Sequence, residues 1–94
     1  MSQFAGKVAL ITGGNAGIGR AAAIEFAKQG AQVVISGRRE KEGHDAIAEI
    51  KALGGEAIFI KADVSKASDV KAMIEQTLAT FSRLDFAFNN AGVE

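Results

Sequence analysis

Residues 7–23 constrain the fold most, because three local patterns follow one another there. An apolar run at residues 7–12 leads into a glycine-rich turn at residues 13–19, which continues into an alanine-rich segment. This order predicts a strand, a loop and a helix. In such a unit the N–H groups of the loop and the positive end of the helix dipole hold a pyrophosphate. We therefore predict a nucleotide site, with a plain turn as the alternative, since glycines also mark turns.

The glycine spacing is not that of the most common dinucleotide-binding loop. Gly13, Gly17 and Gly19 follow the pattern G-x-x-x-G-x-G, whereas the common fingerprint is G-x-G-x-x-G. A glycine pattern alone is weak evidence for a ligand. The predicted strand before it and the predicted helix after it are what favour nucleotide binding over a structural turn.

Length and composition limit the class of protein. A chain of 94 residues predicts one domain over residues 1–94. The 11 basic and 11 acidic side chains balance, which predicts no nucleic-acid or membrane partner, and no apolar run approaches the roughly 18 residues of a membrane span. With no cysteine and one histidine, His44, we expect neither a disulfide nor a metal site. The first residues lack the features of a secretory signal, so we expect a cytoplasmic protein.

The rest of the chain alternates between short apolar runs and amphipathic segments. Strands are predicted at residues 31–36, 57–62 and 85–88, and helices at residues 40–53 and 65–81, the second with Ser65 as its N-cap. This alternation predicts an α/β fold, a Rossmann-type parallel sheet flanked by helices and joined by right-handed crossovers. We expect the spatial strand order 3-2-1-4, with the helix after Gly17 on one face and the helix near Ser65 on the other face or an adjacent flank.

The ligand of such a sheet lies at the carboxyl ends of its strands. After the second strand, dinucleotide sites usually carry an acid that binds the ribose 2′-hydroxyl, but this sequence has Gly37, followed by Arg38 and Arg39. An arginine fork binds a 2′-phosphate, which predicts NADP rather than NAD as the preferred cofactor. Glu40 is expected to weaken that preference. The alternative is that both arginines are solvated residues at the start of a helix.

Polar residues also follow the third and fourth predicted strands. The Asp63 carboxylate, before Val64, has two interpretations: it accepts a hydrogen bond from an adenine amino group, or it bonds the backbone of its own turn. The fourth strand is followed by Asn89, Asn90, Ala91 and Gly92. Taken alone, that segment favours a turn, although amide side chains also hold a strand end rigid by bonding nearby main chain.

Together these segments resemble the N-terminal, cofactor-binding part of the short-chain dehydrogenase/reductase family. The family's cofactor signature is similar to Thr12-Gly13-x-x-x-Gly17-Ile18-Gly19, its Asp-Val pair to residues 63–64, and its N-N-A-G motif to residues 89–92. The resemblance covers essentially the whole chain. It implies a Rossmann-type oxidoreductase that uses NAD or NADP to transfer a hydride between nicotinamide and a carbonyl or alcohol.

The resemblance also implies roles for individual residues. Residues that would surround the pyrophosphate and the nearby ribose are Gly13, Asn15, Gly17, Ile18 and Gly19. Residues that would contact adenine are Asp63 and Val64. Residues that would approach the cofactor's ribose are Asn90, Ala91 and Gly92. Arg38 matches a basic position of NADP-preferring members.

The sequence departs from the family at its catalytic residues. Family members use a serine and a Tyr-x-x-x-Lys segment, but this chain has no tyrosine and ends at Glu94. We expect it to hold no catalytic residue, to be truncated after the fourth strand, and to be inactive alone. The alternative is a free-standing module that binds a nucleotide or pairs with another chain. An unpaired strand edge at residues 85–88, with no charge within residues 86–88, and the helix face at residues 73–81 predict a homo-oligomer.

Overall fold

A computed structural model describes residues 3–13 and 17–89, in which strands and helices alternate. The strands are β1 (Val8–Thr12), β2 (Gln32–Gly37), β3 (Glu56–Lys61) and β4 (Phe86–Asn89). The helices are α1 (Gly17–Lys28), α2 (Glu40–Ala52) and α3 (Ala67–Phe81). Each predicted element is therefore present. The bounds that were predicted differ from these by one or two residues, and α1 begins at Gly17, within the predicted glycine-rich turn.

The strands form one parallel sheet in the order β3-β2-β1-β4. β1 pairs with β2 in the register Val8↔Gln32 and with β4 in the register Ala9↔Phe86. β2 pairs with β3 from Gln32↔Glu56 onward. The predicted order 3-2-1-4 is confirmed, and the carboxyl ends of all these strands meet at one edge.

The sheet has an apolar core on each face, because both strand faces carry aliphatic side chains. α1 and α2 share one face, and α3 covers the other, as expected for parallel strands joined by helical crossovers. The buried residues on the α1 and α2 face are Ala9, Ile11, Ala23, Ala27, Val33, Ile35, Ala46, Ile47, Ile50 and Ala57. Those on the α3 face are Val8, Leu10, Val34, Ile60, Ala62 and Met73.

The start of α3 corrects one prediction. Ser65 was expected to cap this helix, but Lys66 occupies the N-cap position and no side-chain capping bond is formed there. The Ser65 backbone N and Oγ instead donate to Asp63 Oδ1, at 3.0 and 2.7 Å. The prediction was wrong because the neighbouring carboxylate accepts these hydrogen bonds and forms a turn before the helix begins.

α3 is also less deeply buried than its apolar periodicity predicts. Met73 and Thr77 are buried against the sheet, whereas Ile74 and Leu78 are 37% and 45% exposed. Only the narrow stripe that points at the strands is covered by the part of the chain that the structure describes.

Aromatic residues cluster where β4 meets α1. Phe86 of β4 lies with Phe4 and Phe26 in mutual contact, with ring centroids 5.1–5.4 Å apart. Phe88 lines an apolar cavity beside Phe4 and Phe26. The β4 edge of the sheet is therefore markedly apolar on the α1 face. None of the described helices is both long and apolar enough to cross a membrane.

Candidate nucleotide-binding site

A cavity of about 190 Å³ lies at the carboxyl ends of the first three strands. Its position agrees with the general rule that ligands of open α/β sheets bind at this edge. Three of the loops singled out in the sequence contribute to its wall. The lining residues are Gly13, Ser36, Gly37, Arg38, Ala62, Asp63, Val64 and Ser65.

The loop after β1 depends on glycine for its backbone conformation. Gly13 has φ +70° and Gly17 has φ +55°, both in the left-handed region that residues other than glycine rarely adopt. The Gly13 N–H donates to the Ser36 carbonyl at 2.7 Å, which fixes the start of the loop on β2. Gly19 is buried within α1, and Ile18 is 67% exposed. Asn15, another candidate from the sequence, lies outside the described residues.

The two candidate arginines that follow β2 lie in different surroundings. Arg38 lines the cavity, and no hydrogen bond or ion pair of its guanidinium is found with the described residues. Arg39 stands outside the cavity lining, with its Nη1 4.0 Å from Glu42 Oε2. The carboxylate expected to weaken Arg38, that of Glu40, lies 3.4 Å from Lys61 Nζ. Of this pair, Arg38 is thus the cation that lines the cavity.

The end of β3 holds Asp63 by three of its polar groups. Its Oδ1 accepts both hydrogen bonds from Ser65, its backbone N donates to Asp69 Oδ2 at 2.9 Å, and its carbonyl accepts from the Lys66 N at 2.9 Å. The hydrogen bonds from Ser65 lower the pKa of the Asp63 carboxyl, and the charges of Arg38 and Lys66 lower it further. Asp63 is therefore an anion at neutral pH.

Both sequence-based interpretations of Asp63 are compatible with this geometry. Oδ1 serves the local turn, whereas Oδ2 has no hydrogen-bond partner among the described residues. Val64, beside it, is 36% exposed and also lines the cavity. One carboxylate oxygen thus remains for a ligand while the other maintains the loop.

The end of β4 is tied to the end of β1. Thr12 Oγ1 donates to Asn89 Oδ1 at 2.9 Å, across the register pair Thr12↔Asn89. The bond joins two side chains, whereas the sequence suggested an amide bonding nearby main chain; it links the ends of the two strands all the same. The other candidates of that motif, Asn90, Ala91 and Gly92, lie outside the described residues.

Two residues near the cavity were not singled out in the sequence. Ser36 is fully buried, and its hydroxyl has no hydrogen-bond partner within residues 3–13 and 17–89. Asp69 lies in the first turn of α3 and bonds back to the strand end. An acid in the first helical turn is a visible sequence signal, but its partner six residues earlier is not. Nothing in the sequence marks Ser36 as unsatisfied.

The donor set around the cavity fits the adenosine end of a dinucleotide. One exposed guanidinium suits a phosphate or sugar oxygen, one fixed carboxylate suits an amino group, and the small residues Gly13, Gly37 and Ala62 leave room for a flat ring. Within the described residues, no group of three His, Cys, Asp or Glu side chains is placed to hold a metal ion. Such an arrangement is chemically able to bind and orient a nucleotide.

Comparison with known proteins points to one family. A family model described as short chain dehydrogenase matches residues 7–94. An uncharacterized oxidoreductase of Thermotoga maritima is 48% identical over 91 residues, which cover 97% of this chain and 36% of that protein. A 3beta-hydroxysteroid dehydrogenase of Mediterraneibacter gnavus is 44% identical over 93 residues, covering 99% of this chain and 34% of the relative.

A solved structure gives the same result. The crystal structure of a hydroxysteroid dehydrogenase from Escherichia coli superposes with a TM-score of 0.90 at 33% identity. The match covers 93% of this chain and 37% of that one. The chain therefore spans about a third of the length of the curated relatives it matches.

Proposed function

The chain belongs to the short-chain dehydrogenase family, and we propose that it binds a nicotinamide dinucleotide within an oxidoreductase of that family. The observation that carries the proposal is the cavity where Gly13, Arg38 and Asp63 come together at the carboxyl ends of the strands. The bound cofactor would supply the hydride donor or acceptor for a carbonyl or alcohol substrate. The residues of this chain would bind and orient that cofactor.

Each end of the cofactor has a proposed set of partners. The pyrophosphate and the nearby ribose would be held by Gly13, Asn15, Gly17, Ile18 and Gly19, with the α1 dipole adding to the attraction. Asp63 and Val64 would contact the adenine. The cofactor's ribose would lie against Asn90, Ala91 and Gly92.

We propose NADP as the preferred cofactor over NAD. The proposal is supported by Gly37 at the position where an acid would bind the 2′-hydroxyl, and by Arg38 beside it with no ion-pair partner among the described residues. A guanidinium and a 2′-phosphate form charge-assisted hydrogen bonds, whereas an acid would repel the phosphate. Arg39 is the second candidate for that phosphate.

The proposal assigns no proton donor within residues 1–94, because the sequence has no tyrosine. We therefore expect this chain to bind the cofactor without turnover, since binding alone does not stabilise a transition state. We also propose a cytoplasmic location, which the absence of cysteine, and hence of disulfides, supports. We propose a homo-oligomeric state as well, which the apolar β4 edge supports.

The test is a calorimetric titration of the chain with NADPH and with NADH. Gly17→Val is expected to weaken binding of both, because a β-branched residue at positive φ distorts the phosphate loop. Gly54→Val is the matched control: Gly54 also has a positive φ, +85°, and a Cβ there also meets open space, but it lies at the far end of α2. A folded wild-type chain that binds neither dinucleotide would refute the proposal.

A further inference from the structure

Asp63 is held more tightly than its place in a loop requires. Its backbone N, its backbone O and its Oδ1 are each hydrogen-bonded, to Asp69 at 2.9 Å, to Lys66 at 2.9 Å and to Ser65 at 2.7 and 3.0 Å. Fixing both the backbone and one carboxylate oxygen leaves the side chain little rotational freedom. The remaining oxygen, Oδ2, has no hydrogen-bond partner among the described residues, and its residue lines the cavity.

Asp69 supports this arrangement from outside the cavity. It lies on the third residue of α3, where a carboxylate usually bonds the free N–H groups of its own helix. Its Oδ2 instead accepts from the N–H of Asp63, the second residue after the end of β3. Asp69 is absent from the cavity wall, so any effect it has on a ligand must pass through Asp63.

Ser65 supports the same residue from the other side. Its hydroxyl and its N–H both donate to one oxygen of the carboxylate, which stabilises the charged form and orients the carboxylate plane. Ser65 is exposed and itself lines the cavity, yet its hydroxyl hydrogen is already used by Asp63. Its contribution to a ligand is therefore also mainly through Asp63.

We propose that Asp69 and Ser65 are positioning residues that fix the Asp63 carboxylate to accept a hydrogen bond from the amino group of the cofactor's base, and so select adenine over hypoxanthine. The inference rests on the proposed function, because it needs a dinucleotide in the cavity. Hypoxanthine carries a carbonyl oxygen where adenine carries its amino group. A rigid carboxylate repels that oxygen, because both carry lone pairs and no hydrogen lies between them, whereas a mobile carboxylate rotates to avoid the repulsion.

The experiment measures the dissociation constants of NADPH and of its hypoxanthine counterpart for each variant of the chain. For the wild type we expect NADPH to bind about tenfold more tightly than its hypoxanthine counterpart. The adenine amino group gains a hydrogen bond to the Asp63 carboxylate, whereas the hypoxanthine oxygen is repelled by it. Asp69→Ala should reduce that ratio to about threefold or less, mainly by weakening NADPH. Ser65→Ala should shift the ratio in the same direction.

Two further variants separate positioning from general damage. Asp69→Asn keeps a side-chain oxygen that accepts the Asp63 N–H, so it should restore most of the preference. Asp45→Ala, which removes an exposed carboxylate paired with Lys41 on α2, should leave the ratio at its wild-type value. Circular dichroism and a thermal melt of each variant report whether the fold is intact.

The outcomes distinguish the inference from the function on which it rests. A folded wild type that binds both dinucleotides equally, or an Asp69→Ala variant that weakens both by the same factor, overturns the positioning role and leaves cofactor binding intact. A folded wild type that binds neither overturns both. A ratio that falls in Asp69→Ala and recovers in Asp69→Asn supports the inference.

Discussion

Arg38 is the residue on which the proposed cofactor preference depends. We expect Arg38→Ala to weaken NADPH about tenfold, because one charge-assisted contact to an exposed phosphate is lost. NADH, which lacks the 2′-phosphate, should bind nearly as before. The measurement is a pair of titrations at low salt, repeated at high salt, where the NADPH preference should shrink first.

The neighbouring arginine provides the control for that prediction. Arg39→Ala removes an equal charge that lies beside Glu42 and outside the cavity wall. It should reduce the NADPH preference much less than Arg38→Ala. If the unmodified chain binds NADH as well as NADPH, Arg38 is a solvated residue and the NADP assignment is wrong.

For individual residues, the sequence could predict those that line the cavity more easily than those that support them. Gly13, Arg38 and Asp63 follow strand ends, and that position alone brings them together once the sheet is parallel. Asp69 and Ser36 could not be found in this way. Asp69 makes a hydrogen bond to Asp63, and the Ser36 hydroxyl makes none with the described residues. Both facts depend on which groups the folded chain places within about 3 Å.

The elements themselves follow closely from local patterns. Glycine at residue 54, with φ +85°, accompanies the end of α2 as predicted, and the β-branched run of β2 is buried along nearly its whole length. The start of α3 was harder to predict, because Ser65 has two acceptable uses and the nearby Asp63 carboxylate decides between them. Competition between a cap and a turn is settled by geometry that residue type does not specify.

Gly43 shows how packing between elements overrides helix propensity. It lies buried within α2, and a Cβ at this position would overlap the ring of Phe59 on β3. We expect Gly43→Ala to lower the free energy of unfolding by about 1–2 kcal/mol, since overpacking outweighs the gain of roughly 1 kcal/mol in propensity. Urea denaturation monitored by circular dichroism measures the change.

Two controls identify the cause. Ala48→Gly, at an exposed position of the same helix, should cost about 1 kcal/mol through propensity alone. In a Phe59→Leu background, where the ring is gone, Gly43→Ala should become neutral or stabilising. A Gly43→Ala variant that is more stable than the wild type in the original background would show that the ring moves aside freely.

At the scale of the whole molecule, β4 presents an uncharged edge that can pair with another strand. The Lys7 O accepts from the Gln32 N on β2, and backbone groups alternate along a strand, so those of Val8, Leu10 and Thr12 point toward β4. In the register Leu10↔Ala87, Leu10 faces the backbone of Phe86 and Phe88, which leaves the N–H and C=O groups of Ala87 pointing away from β1. Two copies related by a two-fold axis at Ala87 would exchange hydrogen bonds between these groups, in an antiparallel arrangement that aligns Phe86 of one copy with Phe88 of the other.

We therefore expect the chain to self-associate at micromolar concentrations. Ala87→Lys should shift it toward the monomer, because two like charges would meet on the axis. Ala79→Lys, an equivalent change on an exposed position of α3, should have little effect. Light scattering coupled to size-exclusion chromatography measures the mass, and a wild-type monomer throughout the concentration range would contradict the prediction.

The central place of β1 has a consequence for the order in which the chain acquires its structure. β1 pairs on one side with β2, in the register Val8↔Gln32, which is 24 residues apart. On its other side it pairs with β4, and the bond from the Val8 N to Asp85 spans 77 residues. Closing so long a loop costs entropy before any contact repays it, which slows folding. During synthesis, β1 and β2 can pair while β4 is still unmade. Among the described strands, β1 is the one buried at every position, and it is also one whose second partner is synthesised last. While that side is exposed, β1 is vulnerable to misassembly.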